Sequence, residues 1–138
     1  MCQICGNMTS EVYINILKNN IIPTMDYFVL DRDDCIFQQD NDPKHMSRLA
    51  TEWFRNNGIE VLDWPPQSPD LNPIEHLWQH LKMQLNRYET EPAGIDELWS
   101  RLRVEWDNIP PEFSVNLIES MPTRIAAVLK AKGGYTKY

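Results

Sequence analysis

A chain of 138 residues, 42% hydrophobic and 24% charged, has the balance of one small folded domain rather than of a disordered segment. It contains no run of about 18 consecutive apolar residues, so no segment reads as a membrane span. The opening MCQICGNMTS has neither a basic start nor a long apolar stretch and does not read as a secretory signal. The net charge of −7 argues against a free-standing duplex-binding module, whose affinity rests on a basic face that neutralises phosphates. It suits a site whose carboxylates hold divalent cations.

Three cysteines are too few and too odd in number for a disulfide framework, which implies a reduced, intracellular setting. Cys2 and Cys5 form a lone CxxC with no second pair to complete a zinc site, and read as ordinary thiols in a strand. Ten prolines mark the element boundaries. Ser10–Asn19 reads as a helix with Val12, Ile16 and Leu17 on one face, ended by Pro23. Asp26, Asp31, Asp33 and Asp34 read as a solvated loop. Cys35-Ile36-Phe37 fits a buried strand ending near Asp40.

After the polar NDPKH, Ser47 caps a helix whose Leu49, Ala50, Trp53 and Phe54 make the buried stripe, and Asn57-Gly58 stops it. Ile59–Leu62 is a second strand, followed by the rigid loop WPPQSPDLNP. Asn72 caps the next helix and Pro73 opens it, with Ile74, Leu77, Trp78, Leu81 and Leu85 along one side. A further helix covers Ile95–Asn108, with Leu98, Trp99, Leu102 and Trp106 inward, and Pro110-Pro111 opens a short one. The last runs from about Pro122 to Ala131 and ends at Gly133-Gly134. Strands alternating with helices predict an α/β fold with few parallel strands, flanking helices and a helical C-terminal tail.

Asp40 ends a strand, Glu75 lies in the first turn of a helix, and the 34 residues at positions 41 to 74 separate them. The carboxyl ends of parallel strands are where open α/β sheets bind ligands. Two carboxylates brought together there favour a hard divalent cation, the arrangement that phosphodiester chemistry uses. Each also has a structural use, since Glu75 stands three residues after the Asn72 cap and can reach back to its amide, and Asp40 can shape a turn. Asp42 reads as a turn former. Lys44 and His45 are candidate contacts to a phosphate group. His76 and His80 share a helical face but complete no metal motif and read as surface or packing residues, and the tryptophans read as core.

The segments FQQDNDPKHMS and WPPQSPDLNPIEHLW resemble the two signature segments of the Tc/mariner transposases, a likeness that runs from about Gly6 to the final GGYTKY. The resemblance implies a ribonuclease H-like fold and a triad of two aspartates and a third acidic residue, with magnesium or manganese bound for DNA cleavage and strand transfer. It matches Asp40 to the second aspartate and Glu75 to the third acidic residue, at the family's own interval. No position here matches the first aspartate, the first two strands or the helix-turn-helix modules that recognise transposon ends, and Met1–Met8 could supply only the end of a third strand. The resemblance therefore implies one partial catalytic domain over 1–138, with a core remnant to about residue 90 and a helical extension over about 91–138. Such a chain is expected to be catalytically incomplete alone, either an enzyme fragment or a non-enzymatic remnant, unless the native product extends upstream. DNA at transposon ends and a nuclear location are implied in the same way, and an unpaired edge on the Asp40 strand implies self-association.

Overall fold

In the computed structural model of the chain, which describes residues 1–134, 136 and 137, the first helix, α1, spans Ser10–Phe28. Tyr135 and Tyr138 of the closing GGYTKY lie outside the described residues. Thr9 caps α1 by accepting the Val12 N–H on its hydroxyl. The helix runs nine residues past the expected end and carries Pro23 inside it. Proline removes one helical hydrogen bond, at about 3 kcal/mol in an open helix. Burial of Met25, with Ile21 and Ile22 packed on the same core, offsets that loss. Val29 ends the helix in the left-handed region at φ 54°, and its N–H returns to the Asp26 carbonyl. Asp26 thus belongs to the last turn of α1, while Asp31 accepts the Asp33 N–H in a single 3₁₀ turn over Arg32–Asp34.

Strand β1 is Ile36–Phe37, helix α2 is Arg48–Asn56 and strand β2 is Glu60–Val61. The strands pair in parallel, Ile36 opposite Glu60 and Phe37 opposite Val61, with α2 as the crossover. Both are shorter than expected, and Ile36 is exposed rather than buried. Residues 1–9 form neither helix nor strand, so the expected strand end in Met1–Met8 does not form. A strand exists only against a neighbour, and among the described residues only β1 and β2 pair. Ser47 caps α2 through the Ala50 N–H, and Gly58 leaves it at φ 65°, open to glycine at no steric cost. Of the expected α2 stripe, Ala50, Trp53 and Phe54 are buried, while Leu49 faces solvent.

Pro66 and Gln67 divide the chain into two compact units. In the first, Cys2–Pro66, Tyr13, Ile14, Leu17 and Met25 of α1 pack with Ala50, Trp53 and Phe54 of α2 and with Ile59. Cys35, Phe37 and Val61 close over this core from the strands. The second, Gln67–Tyr138 with Met1, is helical: α3 (Pro73–Leu85), α4 (Ile95–Asp107), α5 (Pro111–Glu119) and α6 (Met121–Lys130). A 3₁₀ turn at Pro69–Leu71 precedes them, and α3 packs against α4 and α5. Leu81 is buried there, but Trp78 is exposed, and Leu98, Trp99, Leu102 and Trp106 are only half-buried. The described residues form a mixed α/β fold, mostly helical, with one small parallel sheet, and no described helix is long and apolar enough to cross a membrane.

Leu17 is 2% exposed at the centre of the α1–α2 interface, whereas Tyr27 on the same helix is 80% exposed. Leu17→Ala is expected to lower unfolding stability by about 2–5 kcal/mol. Tyr27→Ala should stay within about 0.5 kcal/mol of the parent. Urea denaturation curves compare the two, and equal losses would mean that α1 does not pack as described.

Candidate functional site

The loop that leaves β1 is built from side chains bonding to nearby backbone. Asp40 Oδ1 accepts the Asp42 N–H at 3.1 Å, and Asp42 Oδ1 accepts the Lys44 N–H at 2.8 Å. The Asp42 carbonyl takes the N–H groups of His45 and Met46 at 2.9 and 3.0 Å. Asp42 is therefore the turn former that its position predicted. The Lys44 ammonium sits 2.9 Å from Asp42 Oδ2, and its hydrogen bond, with the Lys44 backbone N–H, holds the Asp42 carboxyl below the usual range. Asn41 Nδ2 donates to the Trp64 carbonyl at 2.8 Å, which ties the loop to the segment beyond β2.

Asp40 itself stays open, with its side chain 59% exposed. Its Oδ1 lies 2.6 Å from Nδ1 of His45, whose side chain is only 17% exposed. The His45 ring rests on that of Tyr13, centroids 4.2 Å apart. The Tyr13 hydroxyl donates to Gln39 Oε1 at 2.5 Å, and burial first, then the Asp40 charge, pushes it well above the ordinary tyrosine range. Gln39 Nε2 in turn donates to the His45 carbonyl at 3.3 Å. Tyr13 and Gln39 were missed from sequence, because a contact 26 positions apart leaves no local signal. Between this loop, α2 and β2 opens a cleft of about 380 Å³, with Phe54, Ile59 and Val61 beneath and Asn41, His45 and Arg55 among its polar walls.

In the second unit Glu75 is exposed on the first turn of α3. Asn72 caps that helix through the Ile74 N–H, while its own N–H donates to the Pro69 carbonyl at 2.9 Å. The amide that Glu75 would take in a capping box is thus already used. His76, next to Glu75, faces Arg124 of α6, which is 2% exposed. Arg124 Nη1 donates to the Asp70 carbonyl at 3.0 Å and lies 3.2 Å from His76 Nδ1, while its Nε donates to Ser120 Oγ at 2.6 Å. A guanidinium has no acceptor, so His76 Nδ1 accepts and the ring proton sits on Nε2. His80 turns elsewhere, to Gln84 and the ring of Phe113, so the two histidines share no ligand.

Among the described residues no group of three or more His, Cys, Asp or Glu side chains stands ready to hold a metal ion. The donors at hand fit the hard cations expected from sequence, because exposed carboxylate oxygens at Asp40 and Glu75 suit magnesium or manganese rather than a soft metal.

Asp40 lies just past a parallel strand and Glu75 opens a later helix, and solved structures share the fold that carries them. The catalytic domain of the Mos1 mariner transposase superposes with a TM-score of 0.81 at 23% identity, over 96% of this chain and 66% of that one. The Mos1 paired end complex with Mn gives 0.80 at 22% identity, over 95% of this chain and 38% of that one. Residues 2–108, which include Asp40 and Glu75, match the DDE superfamily endonuclease model, and the chain belongs to that family. The Tcb1 transposase of Caenorhabditis briggsae is 43% identical over 136 residues, 99% of this chain and 48% of that protein. The Tc1 transposase of Caenorhabditis elegans is 48% identical over 103 residues, 75% of this chain and 37% of that protein. The chain thus spans about half the length of the Tcb1 relative.

Burial, then the Arg124 charge, lowers the His76 pKa, while Glu75 acts weakly the other way. The unfolded chain therefore protonates His76 first as pH falls. Its contribution to stability is complete above about pH 6.5, the ordinary imidazole value, and is lost as pH drops through the depressed folded value. His76→Asn, whose amide oxygen can accept the same Arg124 N–H, is expected to lose less stability than the parent between about pH 7 and pH 5. Melting midpoints at the two pH values measure the difference, and equal losses would remove His76 as the cause.

Proposed function

We propose that the chain is part of a Tc/mariner-type transposase catalytic domain in which Asp40 and Glu75 are two of the carboxylates that hold magnesium or manganese. The observation that carries this is the family match across both acidic segments, joined to an Asp40 carboxylate that stands exposed just past a parallel strand. Within this assignment, residues to about 90 belong to the ribonuclease H-like core and about 91–138 to its helical extension. The bound cation would activate the attacking oxygen and stabilise the leaving one in DNA cleavage and strand transfer.

The residues of this chain do the preparatory work. Asp40 and Glu75 offer hard oxygen donors, and the Asp42–Lys44 turn sets the backbone on which Asp40 stands. The cleft beside the loop gives a DNA group somewhere to lie. Lys44 is half-exposed, and water competes for its pairing with Asp42, so it is assigned as the phosphate contact. Transposon-end DNA is the substrate class, and the nucleus the place of action. Because the resemblance matches only Asp40 and Glu75 of the three acidic positions, the 138-residue chain is proposed not to cleave DNA by itself.

Thermal melts with manganese test the ligand assignment. Metal that binds only the folded chain adds RT ln(1 + [L]/Kd), about 2.7 kcal/mol at a hundredfold excess over Kd. The midpoint is expected to rise for the parent and to rise less for Asp40→Ala and for Glu75→Ala. An unchanged shift in either variant removes that residue as a ligand. A plasmid incubated with the chain and manganese should remain supercoiled, and nicking that Asp40→Ala abolishes would overturn the proposed inactivity.

A further inference from the structure

An exposed carboxylate that must hold a cation needs a fixed direction, and the β1–α2 loop supplies one from beneath. Ionised Asp40 is acceptor-only, so the 2.6 Å contact to His45 requires the proton on Nδ1, with His45 donating. The imidazole is held in three ways. Its ring lies on Tyr13 at 4.2 Å, its carbonyl accepts from Gln39 Nε2, and its backbone N–H donates to the Asp42 carbonyl. Tyr13 is 7% exposed in the α1–α2 core, and its hydroxyl fixes the same Gln39 from the other end. The order from inside to outside is a buried phenol, a mostly covered imidazole and an open carboxylate.

We propose that His45 is a positioning residue for Asp40 rather than a contact to the DNA backbone. Its Nδ1–H holds Oδ1, together with the Asp42 N–H, and so presents Oδ2 to a divalent cation. Tyr13 acts one step further back, as the platform against which the imidazole packs, its ring tilted 36° to that of His45. A side chain 17% exposed and already engaged at Nδ1 is poorly placed to receive a phosphate as well. The proposal rests on the assignment of Asp40 as a metal ligand. Hydrogen-bonding partners of metal ligands commonly affect metal affinity by about 10–100-fold, which sets the expected size.

The test is a manganese titration of the 138-residue chain by calorimetry, with His45→Phe, His45→Asn and Asp40→Ala. His45→Phe keeps a ring on Tyr13 and removes the donor, and is expected to weaken manganese binding by about 10–100-fold. His45→Asn places an amide N–H near the Nδ1 position and should recover most of that affinity. If parent binding requires Asp40 but His45→Phe binds as tightly as the parent, the positioning role is wrong and the ligand assignment stands. If Asp40→Ala binds as well as the parent, or the parent does not bind, the ligand assignment fails, and His45 has nothing to position.

A second measurement reads the geometry without metal and without relying on a variant of His45. Nitrogen NMR of the imidazoles should show one ring protonated at Nδ1, slowed in exchange, and lost or shifted in Asp40→Ala. A His45 ring carrying its proton on Nε2 alone overturns the proposal whatever the titration gives. A fall in metal-free DNA affinity on His45→Phe, with manganese affinity intact, would return His45 to the phosphate-contact role.

Discussion

Two strands of two residues each make too short a ladder to hold themselves, so the place of the loop after Phe37 is set by the helices packed on them. A backbone hydrogen bond contributes about 0.5–1.5 kcal/mol net, whereas one well-buried large side chain contributes about 1.5–3 kcal/mol. Tyr13, Ile14 and Leu17 from α1 and Trp53 and Phe54 from α2 are such side chains. The Phe37 ring lies 5.2 Å from that of Phe54, which fastens β1 directly to α2. The direction in which the chain leaves β1 toward Asp40 follows from that packing more than from the ladder itself.

Within the loop, acidic residues two apart take different work. Asp42 turns inward to its own backbone and to Lys44, so its charge is largely spent on shape. Asp40 closes a similar turn with one oxygen yet keeps its side chain mostly in solvent. The half-exposed Lys44–Asp42 pair adds little stability in water, but the backbone bonds at Asp42 are short-range and fix the chain locally. An ordered loop leaves one carboxylate open without letting it collapse onto a neighbouring ammonium, as the proposed role of Asp40 requires.

Much of this was legible before the structure wherever the cause is local. Ser47 and Asn72 mark their helices because a cap acts within three residues, and both accept the N–H groups that such caps take. Asp42 was legible as a turn former for the same reason. The end of α1 was not, since Pro23 is a local stop overruled by Met25 in a core assembled from elsewhere. Leu49 fits the helical stripe by spacing, yet it faces solvent because the α1 surface covers only the Ala50, Trp53 and Phe54 side of α2. The acidic candidates could be found by pattern, but the Tyr13–His45–Asp40 stack could not, because its innermost member comes from a helix with no motif of its own.

His45 and His76 show how little a residue type says without its partner. One faces a carboxylate and must donate through Nδ1, while the other faces a guanidinium and must accept through the same atom. The second arrangement gives the C-terminal helices a purpose within their own unit. Arg124 reaches from α6 to the carbonyl of Asp70 and to His76, and Thr136 adds a bond to Asp70 Oδ2 at 2.8 Å. A guanidinium this buried is costly to leave without donors satisfied, so α6 cannot shift without disturbing the turn ahead of α3. Glu75 stands in the first turn of that helix, beside His76, and its backbone is therefore anchored by residues some fifty positions further along the chain. Helix α6 is for this reason part of what places Glu75 within its own unit.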